Sequence, residues 1–264
     1  MCIRDSPPNA LGINPSIDAD ETRELVVGSF SKDAIFYVYD RTDGTFLYAR
    51  PTAYQNIIAG YEGTTGAYII EPDAVMTADI DHEATICREN RQIPQGAYSP
   101  LTNAYYVPAF NGPCSVMKLD SSDPSIDTGY NTSYIATEAS PADQLGQPEA
   151  IDVTTGKTLW RLERETPLYG MLTTGGGLVF AADTNRRLHA IDQWTGEILW
   201  KTILNGASDM APITYSTGGR QFVAVIATSG TQAAAQHAGQ LGLRAATGVG
   251  NIGHTLFVFA LPAE

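Results

Sequence analysis

The sequence predicts an all-β chain built as a β-propeller of four-stranded antiparallel blades, on three observations. First, an eleven-residue phrase is written twice: Ala150-Ile151-Asp152-Val153-Thr154-Thr155-Gly156-Lys157-Thr158-Leu159-Trp160 returns 40 residues later as Ala190-Ile191-Asp192-Gln193-Trp194-Thr195-Gly196-Glu197-Ile198-Leu199-Trp200. Second, a weaker copy, Tyr37-Val38-Tyr39-Asp40-Arg41-Thr42-Asp43-Gly44-Thr45-Phe46-Leu47, lies upstream. Third, the intervening sequence holds short β-branched or aromatic runs bounded by Gly, Asn, Asp or Pro. A period near 40 with strand-rich content indicates blades, because helical repeats of similar length carry long helices.

Each phrase reads as strand, tight turn, strand. The carboxylate of Asp152 or Asp192 caps backbone N–H groups of the turn, and the Gly four residues on supplies a positive φ. The closing aromatics, Trp160 and Trp200, are expected to be buried between neighbouring sheets, where a large ring contributes most. Further strands are expected at Glu24–Gly28, Ala34–Tyr39, Ala104–Pro108, Gly177–Ala181, Gln221–Ile226 and Thr255–Pro262. Gly175-Gly176-Gly177 runs straight into a strand and reads as a turn. The stretch Asn111–Pro148, rich in Ser, Asp, Pro and Gly, reads as long loops. Only Thr231–Ala246 has helix-like composition, interrupted by Gly239 and Gly242.

A chain of 264 residues has room for five or six blades of about 40–50 residues. The loop-rich stretch lowers that count to four or five, so a small closed ring and an incomplete one both fit. The formal charge of −13 weighs against nucleic acid or an anionic membrane surface as partner, since no basic stripe accompanies it. No apolar run is long enough to span a membrane. The leader Met1-Cys2-Ile3-Arg4-Asp5-Ser6 resembles translated adapter sequence, so residues 1–6 are set apart and 7–264 are taken as the propeller. No Cys-x-x-Cys, Walker loop, Rossmann fingerprint or nucleophile elbow is present, and the four histidines are scattered.

The stretch from Leu25 onward resembles the C-terminal part of the pyrroloquinoline-quinone-dependent alcohol dehydrogenases, a quinoprotein family. The resemblance rests on Ser31 to Arg41, on Ala97-Tyr98-Ser99-Pro100 followed by Tyr106-Val107-Pro108-Ala109, and on the two Ala-x-Asp-x-x-Thr-Gly-x-x-x-Trp phrases. Gly176 to Phe180 and Gln221 to Val225 also fit.

The resemblance implies an eight-bladed ring of which this chain is roughly half, with the quinone on the axis. It implies oxidation of an alcohol or similar hydroxyl substrate, an electron acceptor such as a cytochrome c, and a periplasmic location. Lys32 falls where the family places a cation on the quinone oxygens, stabilising the oxyanion formed on reduction; its plain alternative is an exposed strand-end lysine. Gln92 lies near a family Asn that reaches the cofactor. Tyr169 stands where Trp is common, as a cavity wall or as ordinary packing. Near Ser229-Gly230 the expected Gly-Trp is missing. Calcium ligands and the catalytic base are expected outside this chain, so no metal residue is named. The family also places a structural disulfide near Cys87 and Cys114; two buried free cysteines are the alternative. A non-catalytic propeller scaffold, like the outer-membrane assembly lipoprotein, is the competing function.

Overall fold

The computed structural model describes residues 12–13, 25–28, 33–77, 79, 81–87, 95–112, 114–119, 130–135, 143–208, 210–228 and 253–260. The leader, Lys32, Gln92, Ser229-Gly230 and the 231–246 stretch lie outside the described residues. Strands dominate; one short 3-10 turn, Pro72–Ala74, is the sole helical element among the described residues. The chain divides into two compact units, Met1–Ile93 with Asn111–Pro141, and Pro94–Phe110 with Ala142–Glu264.

In the first unit, β1 (Gly12–Ile13), β2 (Leu25–Gly28), β3 (Ile35–Asp40) and β4 (Phe46–Pro51) form a sheet in the order β1-β4-β3-β2. A hairpin of β5 (Ile58–Tyr61) and β6 (Tyr68–Ile70) comes next. Ile58 and Tyr61 pack on Ile35, Phe46 and Ala49 of the sheet. Beyond it, β7 (Glu83–Ile86) pairs with β10 (Cys114–Leu119), which pairs with β11 (Tyr130–Ile135). The stretch expected to be loops from Asn111 thus contains a six-residue ladder running from Cys114↔Ile135 to Leu119↔Tyr130. The Ser, Asp and Pro residues of this stretch masked it in the composition.

The second unit holds three sheets. β8 (Ala97–Ser99), β9 (Ala104–Val107), β12 (Glu149–Asp152) and β13 (Thr158–Arg161) form the first. β14 (Leu168–Thr173), β15 (Leu178–Asp183), β16 (Arg187–Asp192) and β17 (Ile198–Ile203) form the second in simple up-and-down order. β18 (Ile213–Thr217), β19 (Arg220–Ala227) and β20 (Thr255–Ala260) form the third, with three strands. Blade-like stacking is carried by two cores. Tyr106, Ala150 and Trp160 of the first sheet meet Leu168, Val179 and Ile191 of the second. Ala182 and Leu188 of the second meet Val225 and Ala227 of the third.

The turn chemistry read from the phrase recurs four times. The N–H of Asp40, Asp152 and Asp192 donates to the carbonyl five residues on, and the N–H of Gly44, Gly156 and Gly196 returns to the Asp carbonyl. Glu62 and Gly66 repeat the arrangement, with the Glu62 carboxylate accepting from the N–H groups of Thr64 and Thr65. The four glycines have φ between +68° and +78°, the left-handed region that favours a residue without Cβ. The sequence reading missed the fourth copy because Glu replaces Asp; the longer carboxylate makes the same bonds.

Trp160 is buried, as expected. Its Nε1–H donates to the Gln193 carbonyl at 2.9 Å, and Tyr106 donates its hydroxyl to that same oxygen at 3.0 Å. A Cβ on Gly196 would lie 2.8 Å from the Trp160 ring, so one sheet's closing aromatic seats itself against the next sheet's turn. Trp200 corrects the expectation: it is 42% exposed, meeting only the edge of Phe259 among the rings described, with centroids 5.6 Å apart. The next sheet along the chain offers no Asp-x-x-Thr-Gly seat among its described residues.

Candidate functional site

Three separate strand approaches in the second unit come together at Gln95. Its backbone carbonyl, just before β8, accepts the Met171 N–H of β14 at 2.8 Å. Its side-chain Oε1 accepts the Ala211 N–H, just before β18, at 3.1 Å. Thr173 adds a bond from its hydroxyl to the Tyr98 carbonyl at 2.8 Å. The first strands of three successive sheets are therefore stitched edge to edge, which in a bladed architecture is where side chains of different blades meet.

Tyr169 and Gly170 lie inside that junction. Tyr169 is buried, at 4% exposure, and Gly170 has φ +52° at a bulge between Tyr169 and Met171. A Cβ on Gly170 would collide with the backbone of Ala211, so only glycine permits this approach. Tyr169 is thus packed into the sheet junction. Gln95 was missed. Its role comes from topology, since residues 95, 171 and 211 are far apart in the chain, and no local motif marks it.

Lys32 and Gln92, the other two residues implied by the resemblance, lie outside the described residues. The turn next to Lys32 is described from Asp33 onward. Asp33 accepts the Ile35 N–H at 3.1 Å and the Tyr37 hydroxyl, and Tyr61 donates to the Tyr37 oxygen at 2.6 Å. Burial, then the hydrogen bond to Asp33, pushes the Tyr37 phenol far above its ordinary value. Ala34 adopts φ +61°, a conformation costing an alanine about 1–2 kcal/mol. Thr52 holds it there, donating its N–H and hydroxyl to the Ala34 carbonyl at 2.8 and 3.0 Å. Backbone strain held in this way tends to sit beside functional residues.

The described residues alone do not form a quinone cradle. Tyr169 is closed in, the space beside Gly170 is filled by backbone, and no group of three His, Cys, Asp or Glu gathers for a metal among the described residues. No oxidation step is therefore routed through them.

Cys87 and Cys114 form a disulfide, with Cα atoms 4.1 Å apart. They stand one residue beyond Ile86↔Ser115, the last pair of the β7–β10 ladder, where the Cys87 N–H and C=O bond to Asn56 instead. Both are buried.

The β-propeller domain family of glucose, ethanol and alcohol dehydrogenases that use pyrroloquinoline quinone matches residues 142–223. The 1-butanol dehydrogenase (cytochrome c) of Thauera butanivorans is 29% identical over 204 residues, covering 74% of this chain and 29% of that protein. The dehydrogenase subunit of the quinone alcohol dehydrogenase of Acetobacter aceti is 31% identical over 219 residues, covering 78% and 29%. Among solved structures, a europium-containing methanol dehydrogenase superposes with TM-score 0.73 at 23% identity, covering 91% of this chain and 48% of that one. The quinohemoprotein alcohol dehydrogenase of Comamonas testosteroni gives 0.68 at 22% identity, covering 90% and 38%. The chain thus spans under a third of the length of these curated relatives. With the blade phrase, the four turns and these matches together, the chain belongs to the pyrroloquinoline-quinone-dependent alcohol dehydrogenase family of quinoproteins.

Proposed function

We propose that the chain is the C-terminal part of a dehydrogenase that oxidises an alcohol or a similar hydroxyl substrate with pyrroloquinoline quinone. The observation that carries this reading is the family match over 142–223, which falls on the sheets joined by Trp160. In the assembled protein Lys32 supplies the cation, Gln92 an amide, and Tyr169 an aromatic wall with a hydroxyl. Calcium or another metal comes with residues outside this chain, and electrons leave to an acceptor such as a cytochrome c. The Cys87–Cys114 bridge favours an oxidising compartment, the periplasm.

The test is reconstitution of the full-length gene product with quinone and calcium, wild type against Lys32→Ala. Dye-linked alcohol oxidation in the wild type and its loss in the variant are expected. Unchanged oxidation in Lys32→Ala removes that residue from the site, and failure of the wild type to bind quinone leaves the scaffold reading. The 264-residue chain by itself is expected to turn over no alcohol.

A further inference from the structure

We propose that the outer edge of the β14–β17 sheet binds an oxyanion, a phosphate or carboxylate group, between Arg187 and Lys201. The two cations are brought together by register. On β16 and β17, Arg187 faces Ile203 and His189 faces Lys201, so alternate residues of both strands share one face. Arg187 and Lys201 are then diagonal cross-strand neighbours, a spacing of about 7–8 Å that long side chains bridge readily. Together with Thr202 and Ile203 they line an open groove of about 540 Å³.

What sets this pair apart is the want of counter-charge. The one carboxylate on the same face, Asp183, is buried and fully engaged. Its Oδ2 accepts from Arg164 at 3.0 Å and is bonded to His189 Nε2 at 2.9 Å. Its Oδ1 accepts the Arg187 backbone N–H at 2.8 Å. Among the described residues the Arg187 side chain makes a single long bond, to the Asn185 carbonyl at 3.4 Å, and Lys201 makes no ion pair. Arg187 also lies near a third cation, Arg164, whose guanidinium pKa is lowered by burial and, more weakly, by the charge of Arg187. This happens in a chain of net charge −13, where an acid to pair with each base is abundant. An edge-strand lysine often discourages strand addition, but that role calls for no second cation across the ladder. An arginine fork and a lysine point charge flanking an open groove match the geometry and charge of an oxyanion.

The experiment is calorimetric titration of the full 264-residue chain with inorganic phosphate and, separately, with succinate. Saturable one-to-one binding of one or both is expected, weakening as sodium chloride is raised, and the tighter anion identifies the ligand class. Arg187→Gln and Lys201→Gln should each weaken binding about tenfold, the loss of one charge-assisted contact, and Lys201→Arg should retain it. Urea midpoints should not move in these variants, because the side chains are peripheral. No saturable binding of either anion overturns the proposal. So does saturable binding that survives in the Arg187→Gln, Lys201→Gln double variant.

Discussion

Trp160 and Trp200 close two copies of one phrase, yet one is buried at 8% exposure and the other stands 42% exposed. Both rings leave the same point of their own sheet. The difference lies in the neighbouring sheet. Trp160 faces the 192–196 turn of the next sheet, with Gly196 below its ring and the Gln193 carbonyl at its N–H. Trp200 faces a sheet without such a turn among the described residues. The first unit repeats the seated case with a smaller ring: a Cβ on Gly66 would lie 2.7 Å from Phe46, so Phe46 covers the turn of the β5–β6 hairpin. The phrase is therefore half of a joint, and its aromatic is buried only when the neighbouring sheet supplies the other half.

The comparison predicts unequal losses. Trp160→Ala should cost about 3–5 kcal/mol, as large buried rings do, read as a lower urea midpoint. A comparable loss comes from the covalent tie in the other unit. Opening Cys87–Cys114 by Cys→Ser at both positions should cost about 3.5 kcal/mol by loop entropy, a model-dependent figure. Gly196→Ala should cost about 2–4 kcal/mol, from its positive φ and its collision with Trp160. Gly44→Ala, at φ +78° but with nothing within 4 Å of its Cβ, should lose only the backbone part, about 1–2 kcal/mol. Equal losses at the two glycines would break the comparison.

Acid should loosen the seated joint from the turn side. The N–H of Thr195 foremost, then its hydroxyl and the Trp194 N–H, hold the Asp192 carboxyl below the ordinary carboxylate range. A carboxyl whose pKa is depressed on folding stabilises the fold above its unfolded pKa of about 4 and loses that contribution as pH falls through the lower folded value. Asp192→Asn should flatten this acid dependence of the urea midpoint. Smallest of all, Trp200→Ala should cost less than about 1 kcal/mol, as an exposed position does.

Much of the fold was legible because the phrase couples chemistry to geometry. Asp, Thr and Gly at fixed spacing can satisfy the turn in few ways, and the runs at 104–107, 178–183 and 220–227 are short, apolar and bounded by turn residues, as buried strands are. The β10–β11 ladder was hidden by the polar residues around it. Trp200 was misplaced because burial depends on a partner sheet, which its own phrase does not encode. The site was less legible. Tyr169 entered through family resemblance, whereas Gln95 acts through its backbone carbonyl and side-chain oxygen on strands more than 70 residues away. The Arg187–Lys201 pair likewise depends on the register of one hairpin.

The most direct test is hydrogen exchange at the three tryptophan indoles, monitored by nitrogen-edited NMR on the native chain. The Trp160 Nε1–H, bonded to a buried carbonyl, should exchange far more slowly than those of Trp194 and Trp200, and Gly196→Ala should abolish that protection. Equal exchange at all three indoles, or protection of Trp200 to the level of Trp160, would contradict the account.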